Sequence, residues 1–366
     1  MSGRTGAGAR PLLVVGDALL DRDLEGRVER LCPDAPAAPV VDDVVERPRP
    51  GGAALAATLA RLHDHRQVVL VTALAGDAAG RLLAGLLAAA GVVVVDLGLA
   101  GGTPEKVRVR TDGHTLLRLD RGGSPTGVGR LPSAAWADIG DAGAVLVSDY
   151  GRGVTVEPSV RAALERLAAR VPLAWDPHPS GATPIPGALL ASPNRSEAAL
   201  LARSGNGEAP DDVAAQARVL AERWGAEQVA VTLGSRGALL AGASGPPLLV
   251  PAHPVRGADP CGAGDRFASA AAALLADGAS PPEAVAGAVR AASSFLASGG
   301  VASLEISVGA VVLPYRTGVG VGRDGATPTA VLAAGPGMAA GRDPGAALPR
   351  GLHADDPATL QGGRVR

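Results

Sequence analysis

The sequence predicts an α/β protein built on a largely parallel sheet. Short continuous apolar runs, beginning with residues 12–16, are typical of parallel strands that are buried on both faces. Ala- and Leu-rich segments with helical spacing, such as residues 78–90, lie between these runs. This strand–helix–strand order favours right-handed βαβ units, which place the helices against the sheet.

The elements can be assigned in order along the chain. Strands are expected at residues 12–16, 68–73, 92–97, 144–148, 173–175, 189–191 and 229–232, and helices at 52–63, 78–90, 159–170, 211–224, 264–276 and 283–297. Residues 106–111 and 115–120 flank Asp112-Gly113, a strong hairpin signal. With the segment before Pro48, this hairpin predicts a small β lid, from about residues 36–48 and 105–120.

The ends of the chain differ from its middle. Residues 318–366 are rich in Gly, Pro and Ala and contain no aromatic residue, so we expect a disordered tail. Residues 1–10 are expected to form a disordered leader, which leaves residues 11–317 as one folded domain.

Composition and charge exclude several functions. The chain carries 34 basic and 36 acidic residues, for a formal charge of −2, and only 2% of its residues are aromatic. It therefore has neither the basic excess nor the stacking residues of a nucleic-acid binder. Two cysteines are too few for a disulfide framework, and neither a signal peptide nor an apolar run of membrane-spanning length is visible. We expect a soluble cytoplasmic protein without a nucleic-acid or membrane partner.

Two common nucleotide motifs lack support. A P-loop requires Gly-Lys-Ser/Thr, but Lys106 is the only lysine and no glycine precedes it. The pattern G-x-G-x-x-G occurs only at residues 320–325, where no helical pattern follows, so chance in a Gly-rich tail explains it better than dinucleotide binding.

The strongest local signal is Gly262-Ala263-Gly264-Asp265, which opens a helix rich in small residues. Glycines allow close backbone approach, and successive amides at a helix start can hold an anion. Asp265 could accept a proton from a hydroxyl that attacks a phosphate held there. Stabilisation of the first helical turn by the Asp265 carboxylate is an equally good explanation of the tetrapeptide alone.

Two further segments carry groups suited to a polyol. Gly51 and Gly52 precede a helix and could present amides, although a tight turn is the more common use of such a pair. Asp17 and Asp21 follow the first strand, and ligands of open α/β sheets bind beyond the carboxyl ends of strands. Capping of the next element explains these carboxylates about as well.

Two later segments carry groups suited to a nucleotide. Asn194 and Glu197 follow a strand three residues apart, which suits a water-rich Mg²⁺ site, although a plain helix cap is the more common use. Thr232, Gly234 and Gly237 also follow a strand and could cover phosphates, but a simple turn is at least as good an interpretation.

Taken together and in this order, these segments resemble the ribokinase-like (PfkB) carbohydrate kinase family over about residues 12–303. Within it, the chain is most similar to the D-glycero-β-D-manno-heptose-7-phosphate kinase branch. The resemblance rests on Gly16-Asp17, Leu20-Asp21-Arg22, residues 36–40, Arg49-Pro50-Gly51-Gly52, Glu105-Lys106-Val107-Arg108, Arg118-Leu119-Asp120, Ser148-Asp149-Tyr150, Asp176-Pro177 and Pro193-Asn194 with Glu197.

The resemblance implies a three-layer core with a β lid, an ATP-dependent phosphoryl transfer to a sugar hydroxyl and a role for each motif. Asp265 would be the catalytic base. Gly262, Ala263 and Gly264 would form the anion hole. The substrate would meet Asp17, Asp21, Gly51, Gly52, Lys106, Arg108 and Asp149. ATP would meet Asn194, Thr232, Gly234, Gly237 and Asp259, with Mg²⁺ held, through water, by Glu197 and Asn194. The family also allows a monovalent cation and a homodimer formed through the lid.

The chain departs from the family pattern at several positions. Leu55 stands where the family carries an asparagine that contacts sugar, so a change in sugar specificity or affinity is expected. Pro260-Cys261 replaces two small hydroxylated residues, His178 stands in place of a lysine, and Val289 in place of an asparagine near the nucleotide. A kinase for another sugar and a catalytically silent binding protein are the alternatives. The His-x-Gly-His motif of an adenylyltransferase is missing, so no adenylyl transfer is expected.

Overall fold

Two β-sheets organise the chain in the computed structural model. The structure describes residues 10–122, 127–135, 139–203, 207, 209–253, 255, 259–304, 306 and 316–317. The leader up to residue 9, the tail predicted at 318–366 and the G-x-G-x-x-G stretch within that tail lie outside the described residues.

The larger sheet has ten strands and is mainly parallel. Its strands are β1 (Leu12–Gly16), β4 (Val68–Thr72), β5 (Val93–Asp96), β8 (Ala144–Ser148), β9 (Leu173–Asp176), β10 (Leu190–Ala191), β11 (Gln228–Thr232), β12 (Ala238–Ala241), β13 (Leu248–Val250) and β14 (Arg316–Thr317). They lie in the order β13-β12-β11-β10-β9-β8-β1-β4-β5-β14. Strand β12 pairs antiparallel with both of its neighbours, β11 and β13, and every other described pairing in this sheet is parallel. All of these strands except β12 therefore run in one direction, and their carboxyl ends share one edge.

Helices cover both faces of this sheet. They are α1 (Ala53–His63), α2 (Ala78–Ala89), α3 (Pro158–Ala168), α4 (Arg195–Leu201), α5 (Val213–Trp224), α6 (Ala263–Ala276) and α7 (Pro281–Ala297). Side chains of β1 alternate between two cores: Leu12 and Val14 join α1, α2, α6 and α7, whereas Leu13 and Val15 join α3, α4 and α5. This period of two is the alternation of a strand buried on both faces. None of the described helices has the length and apolar character needed to cross a membrane.

The smaller sheet has four strands in the order β3-β2-β6-β7. These are β2 (Ala18–Cys32), β3 (Ala35–Gly52), β6 (Glu105–Thr111) and β7 (His114–Arg121). The predicted hairpin is present, and its turn residues Asp112 and Gly113 both have positive φ, at 47° and 77°, as a type I′ turn requires. Strand β2 was not predicted, so this sheet, called the lid below, is larger than expected.

Candidate active site

Asp265 lies in the first turn of α6, at the edge where the parallel strands of the large sheet end. Asp265 is only 8% exposed, and burial raises the pKa of its carboxyl group to about 7. The hydroxyl of Tyr150 donates a 2.9 Å hydrogen bond to Asp265 Oδ1, which acts in the opposite direction on this pKa. A carboxylate with a pKa near neutrality is suited to take up a proton and to release it again.

The turn before Asp265 depends on Gly262. This residue caps α6 with φ +79°, and a Cβ here would lie 2.7 Å from Val301 Cγ1. The N–H of Ala263 already donates to the carbonyl of Pro260 at 3.1 Å. Among the described residues of this turn, the amides of Gly262 and Gly264 are therefore the ones left for an anion, which refines the predicted anion hole.

Leu55, expected to affect sugar binding, lies beneath this turn. It is 2% exposed and packs with Leu59, Phe295 and Val301 in a small apolar cluster. Val289, the second departure from the family pattern, is 5% exposed in the main core. Both substitutions therefore occupy packing positions, where a leucine or valine side chain is stable because it is removed from water.

Asp17, predicted to bind substrate, is 2% exposed and holds a loop of the protein. Its carboxylate accepts hydrogen bonds from the backbone N–H groups of Tyr150, Arg152 and Val154 at 2.9–3.0 Å. Three amide donors satisfy most of the hydrogen-bonding capacity of a carboxylate. Asp17 therefore fixes the position of the loop that carries Tyr150.

Asp149, also predicted to bind substrate, stabilises the same loop. It is 2% exposed and accepts hydrogen bonds from the N–H groups of Gly151 and Ala182 and from the Thr155 hydroxyl. Burial raises the pKa of Asp149 to about 6, with these three donors acting against that shift.

The lid contributes a cluster of arginines beside Asp21. Arg108 Nη1 lies 3.2 Å from Asp21 Oδ1, and Arg49 pairs with both Asp21 and Asp23. Asp21 is 5% exposed, and its Oδ1 accepts no hydrogen bond within the described part of the chain. This oxygen is therefore paired with Arg108 by charge but keeps capacity to accept a hydrogen bond, and contact of Asp21 with substrate stays a prediction.

Arg110 connects the lid to the segment before the anion hole. Its Nη1 lies 2.8 Å from Asp259 Oδ2, while Asp259 Oδ1 accepts the backbone N–H of Cys261. Burial opposes ionisation of Asp259, but these two donors together hold its pKa below the usual value. Asp259, predicted to contact ATP, is thus an ion-pair partner of the lid.

Lys106 and Arg108 enter the site from β6. The ammonium of Lys106 lies 4.7 Å from the centre of the Tyr150 ring, and burial lowers its pKa. His178 stacks on the same ring with centroids 6.1 Å apart. The lid strand and the loop held by Asp17 therefore meet at Tyr150, next to Asp265.

The residues predicted to bind ATP form a second group along the same edge. Asn194 and Thr232 are joined by a parallel β-bridge between the ends of β10 and β11. Gly234 and Gly237 follow in a tight turn, in which the N–H of Gly237 donates to the carbonyl of Gly234 at 3.0 Å. The structure thus brings four of the five predicted ATP residues together and leaves Asp259 beside the lid.

Asn194 and Glu197, the predicted Mg²⁺ residues, form a capping box at the start of α4. Asn194 Oδ1 accepts the N–H groups of Ser196 and Glu197, and Glu197 Oε2 accepts the N–H of Asn194. No group of three metal-ligating side chains exists among the described residues. The remaining Glu197 oxygen fits a water of a hydrated Mg²⁺ ion but does not make a direct all-protein site.

Asp176 lies between the two groups, at the end of β9. Burial raises its pKa well above the usual value, and both Asp265 and Glu197 raise it further. Its Oδ1 accepts a 3.0 Å hydrogen bond from Ser192. Because β8, β9, β10 and β11 are neighbouring parallel strands, the residues that follow their carboxyl ends lie along one edge of the sheet, with Asp176 between the two groups.

Sequence reasoning assigned no role to four residues of this site: Tyr150, Arg49, Arg110 and Asp176. Tyr150 and Asp176 do follow predicted strands at the edge where ligands bind, so their position was a usable signal. Arg49 belongs to a motif that carries the family resemblance, but nothing in that motif indicated its ion pairs, and Arg110 is one of many arginines in this arginine-rich sequence.

The site combines a buried carboxylate that can act as a base, backbone amides that can hold an anion, and polar groups for an acceptor and a nucleotide. These features define a class of protein, the phosphotransferases that act on an alcohol group. The chain belongs to the pfkB family of carbohydrate kinases, whose family model matches residues 10–306. This confirms the family expected from the sequence motifs.

The bifunctional protein HldE of Streptomyces coelicolor is 50% identical over 306 residues, which cover 80% of this chain and 62% of that protein. The protein of the same name from Caulobacter vibrioides is 36% identical over 280 residues, covering 74% of this chain and 56% of that protein. The chain thus matches about three-fifths of the length of these curated relatives.

Solved structures show the same fold. A ribokinase from Thermotoga maritima superposes with a TM-score of 0.60 at 21% identity, covering 78% of this chain and 93% of that one. An Arabidopsis thaliana ribokinase, solved in complex with ribose and ATP, gives a TM-score of 0.60 at 25% identity, covering 81% and 96%. The predicted ribokinase-like fold is confirmed, and one kinase of this fold has been solved with ATP bound.

Proposed function

We propose that this chain is a cytoplasmic kinase that transfers the γ-phosphoryl group of ATP to D-glycero-β-D-manno-heptose 7-phosphate, giving the 1,7-bisphosphate. The observation that carries the chemistry is Asp265, a buried carboxylate with a pKa of about 7 at the start of α6. The substrate is supported by the sequence motifs of the heptose-7-phosphate kinase branch and by the 50% identity to an HldE protein.

In this mechanism the charged form of Asp265 accepts the proton of the acceptor hydroxyl as that oxygen attacks the γ-phosphorus atom. The amides of Gly262 and Gly264 donate to the oxygens of the transferred group, where negative charge is redistributed. Glu197 would contact Mg²⁺ through water, and the ion, when bound, neutralises phosphate charge. Asn194, Thr232 and the glycine turn after β11 would line the ATP site.

The acceptor would lie under the lid, between Asp21 and Asp265. Asp21 Oδ1 would accept a hydrogen bond from a sugar hydroxyl, while Lys106 and Arg108 provide positive charge for a phosphate on the acceptor. A homodimer through the lid stays a prediction. Exposed apolar residues on its outer strands β3 and β7, among them Val45 and Leu117, are where a second copy would pack.

The test is ADP release with ATP and Mg²⁺ across a panel of sugars and sugar phosphates, comparing the unmodified chain with Asp265→Ala. Loss of the base should slow turnover by about 10²–10⁴-fold, which corresponds to about 3–5 kcal/mol of barrier. The turnover of the unmodified chain should fall as the pH is lowered through about 7, because the raised pKa leaves Asp265 protonated below that value.

Glu283→Ala is the matched control. Glu283 is the third residue of α7, as Asp265 is of α6, and it caps its helix through the N–H and hydroxyl of Ser280. A helix-stabilising role alone would make the two variants alike, so retained turnover in Glu283→Ala and lost turnover in Asp265→Ala separate catalysis from capping. Turnover of a different sugar, lost in Asp265→Ala, would keep the mechanism and replace the heptose.

A further inference from the structure

Tyr150 is held from several sides in a way that aims its hydroxyl at the base. Its backbone N–H donates to Asp17 Oδ2 at 2.9 Å, and the ring contacts both the ammonium of Lys106 and the imidazole of His178. Its hydroxyl donates to Asp265 Oδ1 at 2.9 Å, although the two residues are 115 positions apart in the chain. A side chain restrained in this way loses little further freedom when the hydrogen bond forms.

The hydrogen bond makes the two oxygens of Asp265 different. Oδ1 accepts the Tyr150 hydroxyl, whereas no side chain among the described residues donates to Oδ2. Burial raises the pKa of Tyr150 well above 10, so the phenol stays protonated and can act only as the donor in this pair. Oδ2 is therefore the oxygen that has no side-chain donor among the described residues, so an incoming proton meets no such competition there.

Given the proposed role of Asp265, we propose that Tyr150 is a positioning residue for the base: its hydroxyl fixes Asp265 Oδ1, so that Oδ2 receives the proton of the acceptor hydroxyl. The same hydrogen bond favours the charged carboxylate that catalysis needs. Without it, Asp265 would keep its burial but lose the donor that keeps its ionised form accessible near neutral pH.

Charged groups from three other elements act on Asp265. Asp21 on β2 disfavours the charged form of Asp265, and Lys106 on β6 favours it. Asp176, at the end of β9, interacts with Asp265 as a like charge when ionised. Tyr150 is the only side-chain hydrogen-bond donor to Asp265 among the described residues, so its removal has a specific consequence.

The experiment compares the pH dependence of kcat/KM in the unmodified chain and in Tyr150→Phe. Phenylalanine keeps the ring, and with it the contacts to Lys106 and His178, and removes only the hydroxyl. Loss of one hydrogen bond to a charged group should move the acid limb upward by about one pH unit, with about fivefold lower turnover at pH 7. The KM for ATP should not change.

Thr103→Val is the matched control. The Thr103 hydroxyl is also buried and donates a 2.6 Å hydrogen bond to a carboxylate oxygen, Asp77 Oδ1. Asp77 caps α2 and has no role in the proposed mechanism. A general effect of losing a buried hydroxyl would appear in both variants, whereas the inference requires the acid limb to move in Tyr150→Phe alone.

A second readout does not depend on turnover. The titration of ¹³C-carboxyl-labelled aspartate, with Asp265 assigned by its absence in Asp265→Asn, should give a higher pKa for Asp265 in Tyr150→Phe. If no acceptor is turned over, the proposed kinase function fails and this titration still decides the inference. If Tyr150→Phe folds and neither the acid limb of its pH profile nor the pKa of Asp265 differs from the unmodified chain, the proposed role of Tyr150 is wrong. The kinase proposal would be unaffected by that result.

Discussion

The substitution Leu55→Asn distinguishes a sugar-binding position from a packing position. It would restore the amide that the family pattern has at this position, but Leu55 is 2% exposed beside Leu59, Phe295 and Val301. Removing a buried leucine side chain from this cluster costs about 1.5–3 kcal/mol, and an amide without partners adds about 1–3 kcal/mol. We therefore expect the free energy of unfolding to fall by about 3–5 kcal/mol, within the range of severe core substitutions.

The assay is denaturant unfolding, together with the KM for the sugar substrate. Leu59→Asn is the comparison, since Leu59 lies one helical turn later in the same cluster and is 0% exposed. The two variants should lose similar stability. A Leu55→Asn protein that unfolds like the unmodified chain and has an altered KM for sugar would refute the reasoning and return Leu55 to the sugar site.

Two other predictions concern the anion hole and the lid. Gly262→Ala should reduce kcat strongly, because φ +79° and a Cβ contact of 2.7 Å with Val301 force the turn to move. Adding Val301→Ala removes the contact with the new Cβ, but residue 262 must still adopt a positive φ, which alanine disfavours. The kcat of the double variant should therefore recover only in part. Full recovery would contradict the role of the backbone conformation. Arg110→Ala and Asp259→Ala should be non-additive in kcat/KM by about 0.5–1 kcal/mol, since the 2.8 Å pair is partly exposed. Strict additivity in that double-mutant cycle would mean that the pair does not link the lid to the site.

Seven strands of the large sheet and all of its helices except the short α4 were predicted because their signals are local, whereas β12, β13 and β14 were not assigned. Runs such as Leu12–Gly16 are apolar throughout, and the alternation that β1 shows between two cores follows from burial on both faces. Strand β2 was missed because charged residues occupy it, and several of them are buried in ion pairs that the sequence does not reveal. Asp23, 7% exposed and paired with Arg49, is one example.

The site was predictable to the extent that its groups are adjacent in sequence. Gly262, Gly264 and Asp265 form one short motif, and the structure places them in a single turn. The link from Tyr150 to Asp265 joins residues 115 positions apart, and no spacing rule connects them. Asn194 and Glu197 show a second reason why sequence alone cannot assign a site. A helix capping box and a pair of groups that face hydrated Mg²⁺ use the same residue types at the same spacing.

Lys106 gives the protein an unusual chemical property. It is the only lysine among 34 basic residues, and it lies against Tyr150 at the centre of the site. Burial lowers its pKa, so a larger share of this amine is unprotonated near neutral pH than in an ordinary surface lysine. Reagents selective for amines therefore meet a single side chain, besides the α-amino group of the chain, and a methyl or fluorinated label on Lys106 would report directly on whether the site is empty or filled.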